Sequence, residues 1–431
     1  MYKCLLFIVC ACGILLSCSN DDEEITEPTV CPPPFAARTV IVYMMAENNL
    51  TLNAMQNIRE MMTGSKMLDD NTNLIAFVDQ ADQTETPYII RIAGGTQERD
   101  KDFKCNTDFY ASDPEYMKDI LTWIMNKYQS GSYGLVLWGH AGGWIIENDT
   151  IPQTAHTNKP QRAYGWDTGT DHGGNGIKWI NIPTLAKVLE QLPHKLDFIF
   201  ADCCNFQNAE TAYELRNATD YIIASPAEIP AKGAPYSTIV PKLFSMSNDY
   251  HADIAREYNA TLYGNNRVPM SVVKTSEMDN LALATREVME FMPKYGEVNM
   301  DGVIYYRTYH GADRTKIMPD ANDLIWTNIG DNDTYKRWKD ALDKAVIYKA
   351  GSSRWTTDFP IYFDFDANGE RYGGISMFIP LPDYENLPTY NNGTYHYDYN
   401  RIISQMKWYH AAGVDNYYTG NTKNEDAHKV L

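Results

Sequence analysis

The sequence is short of positive charge, of cysteines beyond its leader, and of apolar runs long enough to cross a bilayer. Against 56 Asp and Glu stand 37 Lys and Arg, for a formal net charge of −19. Such a chain repels phosphate backbones at long range, which argues against nucleic acid as a partner. Of eight cysteines, Cys4, Cys10, Cys12 and Cys18 fall in the first eighteen residues. The others, Cys31, Cys105, Cys203 and Cys204, show neither a disulfide framework nor a zinc-ligand spacing, and only a Cys31–Cys105 bridge stays open. There are no internal repeats. What is present is 44% hydrophobic and 12% aromatic content over 431 residues. That is enough to bury one large core or two ordinary ones.

The leader reads as a processing signal. Lys3 supplies a positive start, and Leu5 to Leu16 is an apolar run of signal-peptide length, too short to span a membrane comfortably. It ends in Leu15-Leu16-Ser17-Cys18, which resembles a bacterial lipobox and implies that Cys18 becomes a lipidated first residue. An ordinary signal peptide with an incidental Cys is the alternative. Asp21-Asp22-Glu23-Glu24 follows, as a solvated tether or as a surface-export signal resembling those of Bacteroidetes lipoproteins. The expected locale is therefore the outer membrane, at the cell surface, with the membrane reached through Cys18.

Residues 19–37 are acidic and then Pro-rich, in the manner of a linker. From Arg38 the pattern changes to apolar β-rich runs alternating with helical stretches. Strands are predicted at 39–44, 73–78, 88–92, 135–138, 196–201 and 221–225. Helices are predicted at 52–62, 182–192 and 209–216. Another runs to about Tyr128, with Ser112 as cap, Pro114 in the first turn and Glu115 closing a capping box. This alternation argues a parallel α/β sheet. Residues 145–178 are polar, glycine-rich and aperiodic, which marks a functional or mobile stretch. Beyond about 240 the pattern weakens. Helices are expected near 278–292 and 334–349, and strands at 360–366 and 374–380 around an Asn368-Gly369 turn. The organisation reads as 1–18 signal, 19–37 linker, 38–240 core and 241–431 a region that extends the sheet or forms a subdomain.

Active sites of open α/β sheets form at the carboxyl ends of strands. Two such ends carry chemistry: Gly139-His140-Ala141-Gly142-Gly143-Trp144 and Asp202-Cys203-Cys204. A thiol nucleophile needs a base and oxyanion donors, and the helix expected after Cys204 would lower a thiol pKa. Either thiol could serve, and a buried cysteine or an ordinary surface histidine is the plain alternative for each residue.

The segments Leu135 to Trp144 and Asp202 to Phe206, followed by Glu210 to Leu215, resemble the His and Cys blocks of the clostripain family of caspase-like cysteine peptidases. The stretch Val42 to Leu50 resembles that family's first strand and turn, with Glu47 where Asp is usual, and Gly374 to Pro380 resembles a late strand. The family spacing, Asp-x-Cys with Glu six residues after Cys, selects Cys204 over Cys203. The resemblance implies a three-layer α/β/α caspase-like fold with a mostly parallel sheet. It further implies Cys204 as nucleophile, His140 as its acid–base partner, and backbone N–H groups near Ala141 and Cys204 as the oxyanion region. Asp202 would sit at the floor of S1 and pair with Arg or Lys at P1. Ala141 stands where Gly is common in the family. Self-cleavage near Lys159 or Arg162 is expected by analogy. No cofactor is needed for the chemistry and no metal ligands are assigned, although calcium is possible, since relatives are often calcium-dependent. The stretch Asp364 to Glu370 does not complete a calcium loop, because its twelfth position is Ile375. Protein or peptide substrates follow. A non-catalytic surface binding lipoprotein on the same fold is the alternative, and a thiol hydrolase of non-peptide amides a third.

Overall fold

In the computed structural model, residues 34–419 are described except 83, 147–162, 170–175, 264–266, 307–315, 352–353, 357–361, 365–368, 386 and 389–395. The core begins with β1 (Arg38–Ala46), in which every residue is buried. Continuous burial on both faces is what an uninterrupted Val-Ile-Val-Tyr-Met-Met run predicts. Each large apolar side chain so buried contributes on the order of 1.5–3 kcal/mol. After α1 (Thr51–Ser65) the chain returns as β2 (Thr72–Gln80), parallel to β1 in the register Val42↔Ala76. A meander follows, β3 (Tyr88–Ala93) and β4 (Thr96–Arg99), antiparallel and outward. Helix α2 (Pro114–Lys127) then carries the chain back over β1 to β5 (Tyr133–Trp138) on its other side. The cap of α2 is Asp113 and not Ser112: its carboxylate accepts from the N–H groups of Glu115 and Tyr116, the geometry expected one residue before Pro.

The expected irregular stretch contains a small antiparallel pair, β6 (Tyr164–Asp167) and β7 (Lys178–Ile180). After α3 (Ile182–Glu190) come β8 (Leu196–Asp202), α4 (Ala209–Glu214) and β9 (Thr219–Ala224). Strands β9, β8, β5, β1 and β2 lie side by side and parallel. Helix α5 (Tyr236–Leu243) packs with α1 and with α6 (Tyr250–Ala260), while α2 packs with α3, so that helices cover the sheet. Together with the sheet they form the expected α/β layers.

The C-terminal half extends this sheet. Strand β10 (Met270–Lys274) pairs antiparallel with β9, and β11 (Val346–Ala350) pairs with β10. Between them stand α7 (Met278–Met289), α8 (Ala321–Ile329) and α9 (Asp333–Ala345). The helix expected to run to 349 thus ends at Ala345, and β-branched Val346 and Ile347 open β11 instead. The strand expected at 374–380 makes only isolated bridges at Ser376, to Asn208 and to Asp320. It is a buried strap between two elements: Ala209 N–H donates to Ser376 O, and Ala321 N–H to Ile375 O. Asp320 anchors its start through the N–H groups of Gly373 and Gly374. Residues 360, 361 and 365–368 of the expected hairpin lie outside the described residues.

Candidate active site at the switch point of the sheet

The chain leaves β1 toward β2 in one direction and later returns to β5 and β8 in the other. The order therefore reverses between β1 and β5, and a crevice opens at their carboxyl ends. His140 and Cys204 are delivered to this place. Strands β5 and β8 are parallel neighbours with Trp138 opposite Asp202. His140 lies two residues past Trp138, and Cys204 two past Asp202. Neighbouring strands run roughly 4.8 Å apart, so both residues leave the sheet at one level from adjacent strands.

The two thiols have opposite fates. Cys203 is wholly buried, and burial pushes its thiol well above the ordinary range. Cys204 is half-buried. Its Sγ lies 3.4 Å from Ile229 N, which donates to it, and 3.8 Å from Ile229 O. The turn after Cys204 is tight. Asn205 adopts φ 52°, and Asn is among the few side chains that tolerate this region. Asn205 is tied down twice, its N–H donating to Ala227 O and its Nδ2 to Pro226 O. The loop after β9 thus runs beside the thiol turn.

Expected helix-dipole support for Cys204 is corrected here. Helix α4 does not begin until Ala209, and the Asn208 side chain caps it by accepting from Thr211 N–H. Its terminus is five residues from the thiol and already satisfied, whereas dipole effects fade within a turn.

His140 is half-buried against Trp166, whose ring centroid lies 5.0 Å away. Its Nε2 lies 2.7 Å from Asn49 Oδ1, at hydrogen-bond distance. Burial pushes the imidazole down to about 4, so the ring is neutral at neutral pH. The His loop is held by β6: Gly165 N–H donates to His140 O, and Gly142 N–H to Ala163 O. Ala141 faces Tyr164 between those two bonds. Among the described residues the only non-glycine positions with positive φ are Ala163 and Asn205. Ala141 therefore adopts ordinary backbone angles, and its methyl group imposes no strain.

Asp202 is buried beneath the site. Its oxygens accept from Ala234 N–H (3.0 Å), Tyr236 OH (2.9 Å) and Tyr258 OH (3.0 Å). Burial raises its carboxyl above the usual range, while these donors oppose the rise. A carboxylate has about four lone-pair sites, so three donors leave roughly one.

A sequence model of the clostripain family matches residues 42–413. The chain belongs to the clostripain family. Clostripain from Hathewaya histolytica is 23% identical over 232 residues, which cover 48% of this chain and 42% of that protein, so the match spans less than half of it. Among solved structures, a secreted C11 cysteine protease from Bacteroides thetaiotaomicron, in complex with an irreversible peptide inhibitor, superposes with a TM-score of 0.70. It is 28% identical over 88% of this chain and 100% of the other. An inactive zymogen C11 protease from Parabacteroides distasonis has the same fold, with a TM-score of 0.69 and 24% identity over 88% and 99% of the two chains.

Cys18, Lys159 and Arg162 lie outside the described residues, as does Cys31. Among the described residues Cys105 carries no bridge.

Sequence reasoning missed three features of this site. Asn49 was visible only as a strand-breaking Asn-Asn pair. Trp166 stood in a stretch without periodicity. The third feature is a set of carboxylates, Glu47 just after β1, Asp79 in β2 and Asp108 in the loop before α2. Oxygens of Glu47, Asp79 and Asp108 all lie within 4.8 Å of one another. Nearby Asp167 is buried, and burial first, then Glu47 and Asp79, push its carboxyl up to about 10. An all-oxygen, multiply anionic donor set suits a hard cation such as calcium.

Proposed function

We propose that this clostripain-family chain is a cysteine endopeptidase in which Cys204 and His140 form the catalytic dyad. The observation that carries the proposal is the paired exit of His140 and Cys204 from adjacent parallel strands at the switch point, with Cys203 turned into the core. In this reading the Cys204 sulfur attacks the scissile carbonyl as its proton passes to His140. The carbonyl π electrons move to oxygen, giving an oxyanion held by backbone N–H groups near Ala141 and Cys204. His140 then protonates the leaving amine as the C–N bond breaks, and water releases the acyl group in a second round. A neutral imidazole at neutral pH is the state needed to accept the thiol proton.

For the P1 side chain we propose Arg or Lys, with Asp202 as the anionic group beneath the site. Its remaining capacity for about one donor suits a lysine ammonium better than the fork of a guanidinium, which needs both oxygens. Glu47, Asp79 and Asp108 would hold calcium where it is required. The ion would brace the ends of β1 and β2 against the loop that carries Asp108. We place the chain outside the cytoplasm, anchored through Cys18, on the strength of its leader; the Bacteroides thetaiotaomicron relative is described as secreted.

The test uses the full chain, with and without calcium, on fluorogenic peptides bearing Lys, Arg or neutral P1 residues. Turnover should vanish in Cys204→Ala and persist in Cys203→Ala, and Cys18→Ala should move it from the membrane to the soluble fraction. Turnover that survives Cys204→Ala would overturn the dyad. Absence of turnover in the wild type on every substrate favours a binding protein on the same fold.

A further inference from the structure

We infer that Asn49 is the positioning residue of the dyad: it holds His140 in the tautomer with Nε2 protonated, so that Nδ1 carries the lone pair that takes the thiol proton. The inference rests on the proposed roles of Cys204 and His140.

The carboxamide Oδ1 of Asn49 can only accept a hydrogen bond. At 2.7 Å from His140 Nε2 it therefore requires the proton on that nitrogen. In a neutral imidazole the other nitrogen must then be the acceptor. Pushed down to about 4, the ring is neutral at working pH, so the tautomer is a real choice that some group must make. The ring face of Trp166 restrains orientation without distinguishing the two nitrogens, whereas the Asn49 carbonyl oxygen does distinguish them.

The position of Asn49 is itself well determined. It occupies the turn between β1 and α1, and its neighbour Asn48 locks that turn. Asn48 Nδ2 donates to Met45 O and to Trp166 O, and Asn48 Oδ1 accepts from Leu50 N–H. Thr51 Oγ1 donates to Ala46 O from the far side. The Asn48 bond to Trp166 ties the turn to the same β6 segment that receives the carbonyl of His140. Orienting atom, aromatic wall and His loop thus form one bonded unit. Asn49 is exposed, and no other part of the fold depends on its side chain in the described contacts. Its bond to His140 is the side-chain contact found for it.

The test compares Asn49→Ala and Asn49→Asp in the full chain at about pH 8. Exposed substitutions away from special features leave stability nearly unchanged, so both variants should fold. Asn49→Ala should lower kcat by about ten- to a hundredfold with KM within about twofold, as expected when a catalytic group loses alignment and not when binding is lost. Asn49→Asp keeps an acceptor oxygen and should recover kcat to within about threefold. In histidine labelled with nitrogen-15, the His140 signals, assigned with His140→Gln, should show protonated Nε2 in the wild type and a tautomer mixture in Asn49→Ala. A kcat unchanged in Asn49→Ala, or equally lost in Asn49→Asp, overturns the inference while Cys204→Ala and His140→Ala stay inactive. If those two variants keep turnover, the dyad reading falls and this inference with it.

Discussion

The neutral state of His140 can be tested through stability as well as rate. Burial lowers its pKa from 6.5 to about 4. The folded state therefore refuses a proton that the unfolded state accepts. Stability is full above the unfolded value near 6.5 and is lost as pH falls through 6.5 toward 4, since only the unfolded chain gains from protonation in that window. At about 1.4 kcal/mol per tenfold change in proton affinity, the whole fall corresponds to about 3 kcal/mol. The ring keeps some contact with solvent, which trims this to about 2 kcal/mol. Gln cannot titrate, so urea unfolding of wild type and His140→Gln at pH 7.5, 5.5 and 4.2 isolates the group. Wild type should lose about 2 kcal/mol more than the variant between the first and last pH. In the same window kcat/KM should hold to about pH 5 before its acid limb. Equal losses in both proteins, with an acid limb near 6.5, would show that the imidazole is solvated and that burial does not set its protonation state.

Two further outcomes follow from side-chain geometry. Asp202→Asn keeps the shape of the carboxylate and lets the hydroxyls of Tyr236 and Tyr258 rotate, so the protein should fold, while kcat/KM for a Lys P1 substrate falls about a hundredfold and that for a neutral P1 substrate stays level. Matched kinetics on the two substrate classes check this, and undiminished Lys cleavage would remove Asp202 from P1 recognition. Gly143→Ala should destabilise by about 2–5 kcal/mol, from left-handed backbone cost and overpacking together. At φ 68° its new Cβ would lie 2.6 Å from Asn205 O and 2.9 Å from Asn208 Nδ2. The urea midpoint reads the stability loss, and a parallel drop in kcat is expected because the clash separates the His loop from the thiol turn.

The legible parts of this protein are those written by local periodicity. The runs Val40 to Met45, Leu135 to Trp138 and Phe198 to Ala201 are continuously apolar, as a parallel strand covered on both faces requires. Once those strands are placed, the chain's own order puts His140 and Cys204 on neighbours. The edges were harder to read. Val346 to Ala350 follows a helix without a break, and Gly374 to Pro380 has the composition of a strand. Its partners, Asn208 and Asp320, are more than fifty residues away and bridge it only at Ser376. Nothing local distinguishes a strap held on two sides from a strand held along its length.

Asn49 shows a deeper limit. In sequence it is the second of two asparagines ending an apolar run, and Asn48 is the residue with the stronger local signal, since its side chain caps the turn. The value of Asn49 arises only when β5, ninety residues later, delivers an imidazole to within 2.7 Å of its carbonyl. A turn residue gains a catalytic bearing from a partner that local pattern cannot name. The same holds for Asp202, whose expected S1 role rests on the family resemblance of its Asp-x-Cys segment. Its actual donors, Ala234, Tyr236 and Tyr258, come from the segment after β9 and from α6. In the proposed S1 role, these donors would limit how much of the carboxylate is left for a substrate, which favours an ammonium over a fork. If Arg proves the better P1 residue in the Asp202 experiment, Tyr236 or Tyr258 must swing away on binding, and removing either hydroxyl should then favour Arg over Lys.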